Sequence, residues 1–98
     1  MKKIKFDIEK DNLILSINGD ILLYDDNENK QKLYNAAQND KITKIVIDAT
    51  QLQQWDSSLV AIIFELAKIA LKRNIKPEKI NFPVGLDRLI NLALSVDR

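Results

Sequence analysis

Ninety-eight residues, 46% of them hydrophobic and 30% charged, suffice for one domain spanning residues 1–98 and leave little surplus for a second core. Fifteen basic against fourteen acidic side chains give a formal net charge of +1, which removes the long-range field that draws a protein to nucleic acid or to an anionic membrane. With neither cysteine nor histidine there is no disulfide framework, no thiolate nucleophile, no zinc site of the usual kind and no histidine general base.

The start Met1-Lys2-Lys3 leads into alternating apolar and charged residues and lacks the apolar stretch of a signal peptide, so a cytoplasmic protein is expected. Ile4, Phe6 and Ile8 alternate with Lys5, Asp7 and Glu9, and Leu13, Leu15 and Ile17 repeat the pattern. This is the period of two expected for half-buried strands. Lys10-Asp11-Asn12 supplies the turn between them, and Gly19-Asp20 punctuates the second strand. Residues 25–38 are polar, acidic at the start, and place Leu33, Tyr34 and Ala37 at helical spacing. Ile21 to Tyr24 fits either the end of the strand or the start of that helix.

Ile45-Val46-Ile47 reads as a central strand buried on both faces, followed by a polar loop from Thr50 to Gln54. From Ser58 to Arg73 a second helix is apolar over most of its circumference, with Ser58, Glu65, Lys68 and Lys72 along its polar stripe. Its longest apolar run, Leu59 to Phe64, falls far short of the ~20 residues of a transmembrane helix, so no direct membrane insertion is expected. Asn74 and Pro77 end the helix, Lys79 to Phe82 reads as a short strand, and Leu86, Leu89, Ile90 and Ala93 mark a terminal helix. The expected fold is α/β: a mixed sheet of about four strands with an N-terminal hairpin and helices packed on it.

Asp56 is placed as the N-cap of the second helix, where a carboxylate accepts a first-turn N–H and meets the positive end of the dipole. Trp55 and Val60 occupy the positions of a hydrophobic staple. One cap suffices structurally, so Ser57 and Ser58 are surplus hydroxyls, and a phosphate on Ser58 would meet unpaired N–H groups while being repelled by Asp56. With two glycines, neither a P-loop nor a dinucleotide fingerprint can be written. No base stands ready to activate the serines, so no catalytic residue, cofactor or metal site is assigned. Lys68, Lys72 and Arg73 read as a solvated helix face.

The order of elements, with Ile45-Val46-Ile47-Asp48-Ala49, Asp56-Ser57-Ser58 opening a long helix, and Ile80-Asn81-Phe82-Pro83-Val84-Gly85-Leu86 before the last one, resembles the STAS domain of sulfate transporters and anti-sigma factor antagonists. Trp55-Asp56-Ser57-Ser58-Leu59 and Phe82-Pro83-Val84-Gly85-Leu86 look most like the STAS domain at the N-terminus of MlaE-like permeases of ABC phospholipid transporters. That resemblance implies a non-catalytic regulatory domain at the inner face of the bacterial inner membrane. It also implies partnership with the ATPase subunit and the membrane permease; apolar segments following Arg98 would mark the permease, and a chain end there a separate subunit or an antagonist. The partner-binding residues carried over are Asp56, Ser57, Ser58 and Leu59. The wider family offers an alternative, an anti-sigma factor antagonist switched by a serine kinase, in which Ser58 is the phosphoacceptor. Leu59 stands where that pattern has glycine, so an apolar side chain is expected where another backbone would approach.

Overall fold

A computed structural model describes residues 3–96. The elements are β1 (Ile4–Glu9), β2 (Asn12–Ile21), α1 (Asn27–Ala37), β3 (Lys44–Trp55), α2 (Ser57–Lys72), β4 (Glu78–Ile80) and α3 (Val84–Val96), and the strands form one sheet in the order β1-β2-β3-β4. β1 pairs antiparallel with β2 through a two-residue turn in which Lys10 adopts positive φ, and β2, β3 and β4 run parallel. Both crossovers therefore step in the same direction along the sheet. With right-handed connections, that puts α1 and α2 on the same face.

The burial pattern follows from this topology. Leu13, Leu15 and Ile17 of β2 and Ile45, Ile47 and Ala49 of β3 point to the helices and are buried, as are Leu33 and Ala37 of α1 and Leu86 and Ile90 of α3. The alternate residues Ile14, Ser16, Val46 and Asp48 point to the other face and are only half-buried. The expectation that the Ile45-Val46-Ile47 strand is covered on both faces is thus corrected: α2 covers one face and leaves Val46 at the open one.

α2 buries seven of its sixteen residues, among them Leu59, Ile62, Ile63 and Leu66, so it forms the centre of the helical layer. Its end is set by Asn74 in the left-handed region, with the Ile75 N–H returning to the Ala70 carbonyl at 2.8 Å. Arg73 turns inward, and its guanidinium donates to the carbonyls of Ala37 and Ile42 at 2.9 and 2.7 Å. It ties the end of α2 to the connection after α1, a structural task rather than the solvated role expected of it. In α3 the buried stripe is narrower than the spacing predicts, since Leu89 faces outward while Leu86 and Ile90 are buried.

The largest departure from expectation lies in residues 50–54, predicted as loop and found as strand. β3 continues to Trp55 because β2 also continues, with Asn18, Gly19, Asp20 and Ile21 pairing with Gln51, Leu52, Gln54 and Trp55. Two register shifts place extra residues on β3, and Gly19 sits there at φ +73°, a conformation that glycine adopts without steric cost. Gly19-Asp20 therefore marks an irregularity within the strand and not its end. The extension carries Ile21 and Trp55 side by side to the end of the two central strands, where each turns toward the next helix.

Candidate functional site

The serines of the predicted turn sit where β3 hands over to α2. Asp56 is the N-cap of α2 in extended conformation, and its Oδ1 accepts the Ser58 N–H at 2.9 Å. The Ser58 hydroxyl donates to the same oxygen. The other oxygen, Oδ2, leaves the helix altogether and accepts the Leu23 N–H at 2.7 Å. Ser58 Oγ in turn accepts the Tyr24 N–H at 2.9 Å. One carboxylate and one hydroxyl thus close the start of α2 onto the loop that follows β2, more than thirty residues earlier in the chain.

Electrostatics agrees with the geometry. The Ser58 hydroxyl and then the Leu23 N–H favour the ionised form of Asp56 and hold its carboxyl below the usual carboxylate range. Leu23 is held at φ +49°, a conformation disfavoured for a branched side chain, and the Asp56 bond offsets part of that cost. The loop is also tied on its other side. Tyr24 Oη accepts the Asn29 amide N–H at 2.9 Å, and the same Asn29 amide donates to the Ile4 carbonyl at 3.0 Å. Burial pushes the Tyr24 phenol upward, which keeps it neutral.

Of the four residues expected to meet a partner, the structure brings three to the surface side of the turn and removes one. Ser57 is exposed, and Asp56 and Ser58 are half-buried with their polar atoms engaged in the loop contacts. Ser58 is therefore not the freely solvated member of a polar stripe that its helical position predicts. Leu59 is 0% exposed and belongs to the core, so its side chain cannot be offered to a partner as expected. What the turn does offer is an apolar pair from the opposite loop: Leu22 is 48% and Leu23 86% exposed. Sequence reasoning did not connect these leucines with the serines, because the link is a contact across thirty-three residues. Its only trace was an unassigned Ile21-Leu22-Leu23-Tyr24 segment followed by acidic residues.

No cluster of three metal-ligating side chains exists among the described residues. No helix among them is long and apolar enough to cross a membrane.

A family model for the STAS domain matches residues 3–77, from β1 to the end of the connection after α2. This chain belongs to the STAS domain family. Among curated proteins no sequence matches. Among solved structures, this STAS domain is similar to the anti-sigma factor antagonist SpoIIAA in its unphosphorylated form. The TM-score is 0.75 with 12% identity, over 91% of this chain and 82% of that one. It is also similar to part of Mglu in its native form, with a TM-score of 0.61 and 14% identity over 83% of this chain and 23% of that one. At such identities the likeness is one of fold: a four-stranded mixed sheet opened by an antiparallel hairpin, with three helices. The family match and the likeness in fold bear out the family and the α/β fold class expected from the order of elements and the residues around Asp56.

Proposed function

We propose that this STAS domain is a non-catalytic regulatory module that docks on a partner protein through the turn at the start of α2. The observation that carries the reading is the clamp of Asp56 and Ser58 on residues 23 and 24, which ties the loop bearing exposed Leu22 and Leu23 to the turn that bears exposed Ser57. A rigid edge with a small polar group beside apolar side chains suits a protein surface, since ordering costs are already met before binding. Asp56 and Ser58 act as positioning residues, Leu59 anchors the turn from beneath, and Ser57 is the hydroxyl left for the partner.

The partner class favoured by the sequence resemblance is the ATPase subunit of an ABC phospholipid transporter, with the domain held by the permease at the inner face of the membrane. In a pull-down with the cognate ATPase, the wild-type domain is expected to be retained and Ser57→Lys to be lost. Equal retention of the variant, or no retention of either, would sink this reading.

A second reading, an anti-sigma factor antagonist regulated by a serine kinase, is supported by the position of Ser58 and by likeness in fold to SpoIIAA. A phosphate on Ser58 Oγ would stand against the Asp56 carboxylate, and repulsion would release the N–H groups of Leu23 and Tyr24. Modification of one hydroxyl would thereby remodel the edge that a partner sees. Intact mass after incubation with the neighbouring kinase and ATP should rise by one phosphate in wild type and stay unchanged in Ser58→Ala. A mass unchanged in wild type would end the idea.

A further inference from the structure

The other end of the helical layer holds a feature unrelated to the Asp56 turn. β4 is a three-residue edge strand, and in its parallel pairing with β3 the residue beside Ile47 is Lys79. Neighbours across a ladder point to the same face, and Ile47 is a buried, helix-facing core residue. A lysine thus occupies a position where the pattern of the sheet calls for an apolar side chain. Lys79 is itself exposed at this edge, so its stem covers apolar surface while its ammonium stays at the solvent.

The lysine stem runs along the wall of a cavity of about 150 Å³ between α2, α3 and the β4 edge. Ile47, Ile63, Ala67 and Ile90 form its apolar interior, and Leu71 and Leu94 lie toward the outside. Its polar lining consists of Lys76, Lys79 and Asn91, with no carboxylate. Lys79 Nζ bonds to Asp87 and, at 3.4 Å, to Asn91 Oδ1, so this cation is held in place from α3. Lys76 is exposed and forms no ion pair among the described residues. The same Lys79 and Asn91 also line a second, open depression over the start of α3, bordered by Phe82, Arg88 and the Asp87 carboxylate that pairs with Lys79. An apolar cavity and a cation-bearing polar depression therefore adjoin across two shared side chains.

We propose that this cleft binds a small anionic amphiphile, an apolar group of about six carbons carrying a carboxylate or phosphate. The size follows from the cavity, since a volume of about 150 Å³ accommodates a benzene-sized group. The charge follows from the lining: with Lys79 paired to Asp87, Lys76 at the cavity and Arg88 at the adjoining depression leave an excess of positive charge that complements an anionic head. A cationic head would meet Lys76 at the cavity and would find the Asp87 carboxylate beside it already paired with Lys79.

Titration of isotope-labelled protein with hexanoate, 1-hexanol and hexylammonium, followed by backbone amide shifts, tests the assignment. Hexanoate is expected to shift Ala67, Leu71 and Ile90 saturably and to bind about fivefold more tightly than hexylammonium, the worth of one exposed ion pair. Ala67→Leu fills the cavity and should weaken hexanoate by about tenfold or more while still unfolding cooperatively in urea. Lys76→Glu, a change at an exposed site that leaves the core intact, should weaken hexanoate by about tenfold and leave 1-hexanol within about twofold. The assignment is overturned by shifts that fail to saturate or that cluster elsewhere. Equal binding of hexanoate and hexylammonium, or hexanoate binding unchanged in Lys76→Glu, would overturn it as well. None of these outcomes depends on docking at the Asp56 turn.

Discussion

Two helices of this STAS domain begin in the same way on paper and differently in space. α1 is capped by Asp26 and followed by Asn27-Glu28-Asn29, and α2 is capped by Asp56 and followed by Ser57-Ser58-Leu59. Asp26 Oδ1 accepts the Asn29 N–H at 3.0 Å, three residues along its own helix. Asp56 closes its own first turn and also reaches Leu23 in another part of the chain. The third helical residue is buried in both cases, but Asn29 is polar and bonds to Ile4 and Tyr24, whereas Leu59 is apolar and packs in the core. Tyr24 joins the two starts, giving its N–H to Ser58 and accepting from Asn29 through its hydroxyl. The same capping chemistry starts one helix locally and, at the other, assembles a surface.

Substitutions at the paired positions break this comparison in order of size. Leu59→Ala removes a fully buried side chain beneath the turn and is expected to cost about 2–5 kcal/mol by urea denaturation. A loss below about 1 kcal/mol would mean that the turn is not anchored from the core. Asn29→Ala leaves the Ile4 carbonyl without its amide donor and should cost about 1–3 kcal/mol. Ser58→Ala removes two hydrogen bonds near the surface and should cost only about 1 kcal/mol. Its signature is local, namely faster amide hydrogen exchange at Tyr24 and Leu23. Asp26→Ala, which affects the plain cap, should leave exchange at Leu23 unchanged.

The contrast also shows what could be seen in the sequence. Alternation fixed β1 and most of β2, the apolar richness of α2 fixed its burial, and Asp56 as a cap followed from its place before Ser57. Those signals are local, and each element satisfies its own. The strand from Thr50 to Trp55 was hidden because Gln51, Gln53 and Gln54 carry no apolar alternation; backbone pairing with the extended β2 makes it a strand. Leu59 reads as a surface residue from its place after the serines, although its helical spacing to Ile62, Ile63 and Leu66 is that of the core. The second oxygen of Asp56 had no sequence signal at all. A carboxylate that caps and one that clamps are the same residue in the same local setting, and only the loop folded against it distinguishes them.

Acid titration separates the two by the smallest effect. The Asp56 carboxyl is held below its ordinary value of 3.8, first by the Ser58 hydroxyl and then by the Leu23 N–H, so the folded state binds its proton less readily than the unfolded chain does. Stability from this group is therefore complete above the unfolded value and is lost as pH falls through the lower folded value. Wild type should exceed Asp56→Asn in melting temperature at neutral pH, and the gap should shrink below about pH 4 as the carboxylate is protonated. Asp48 is lowered in the same sense by the Thr50 side chain and backbone, but it is present in both proteins and cancels in the difference. In Ser58→Ala the largest cause of the shift is gone, and the remaining gap on adding Asp56→Asn should be smaller and less dependent on pH. A gap that stays constant from neutral pH to pH 3 would mean that Asp56 acts only through its shape, and the clamp on Leu23 would lose its electrostatic basis.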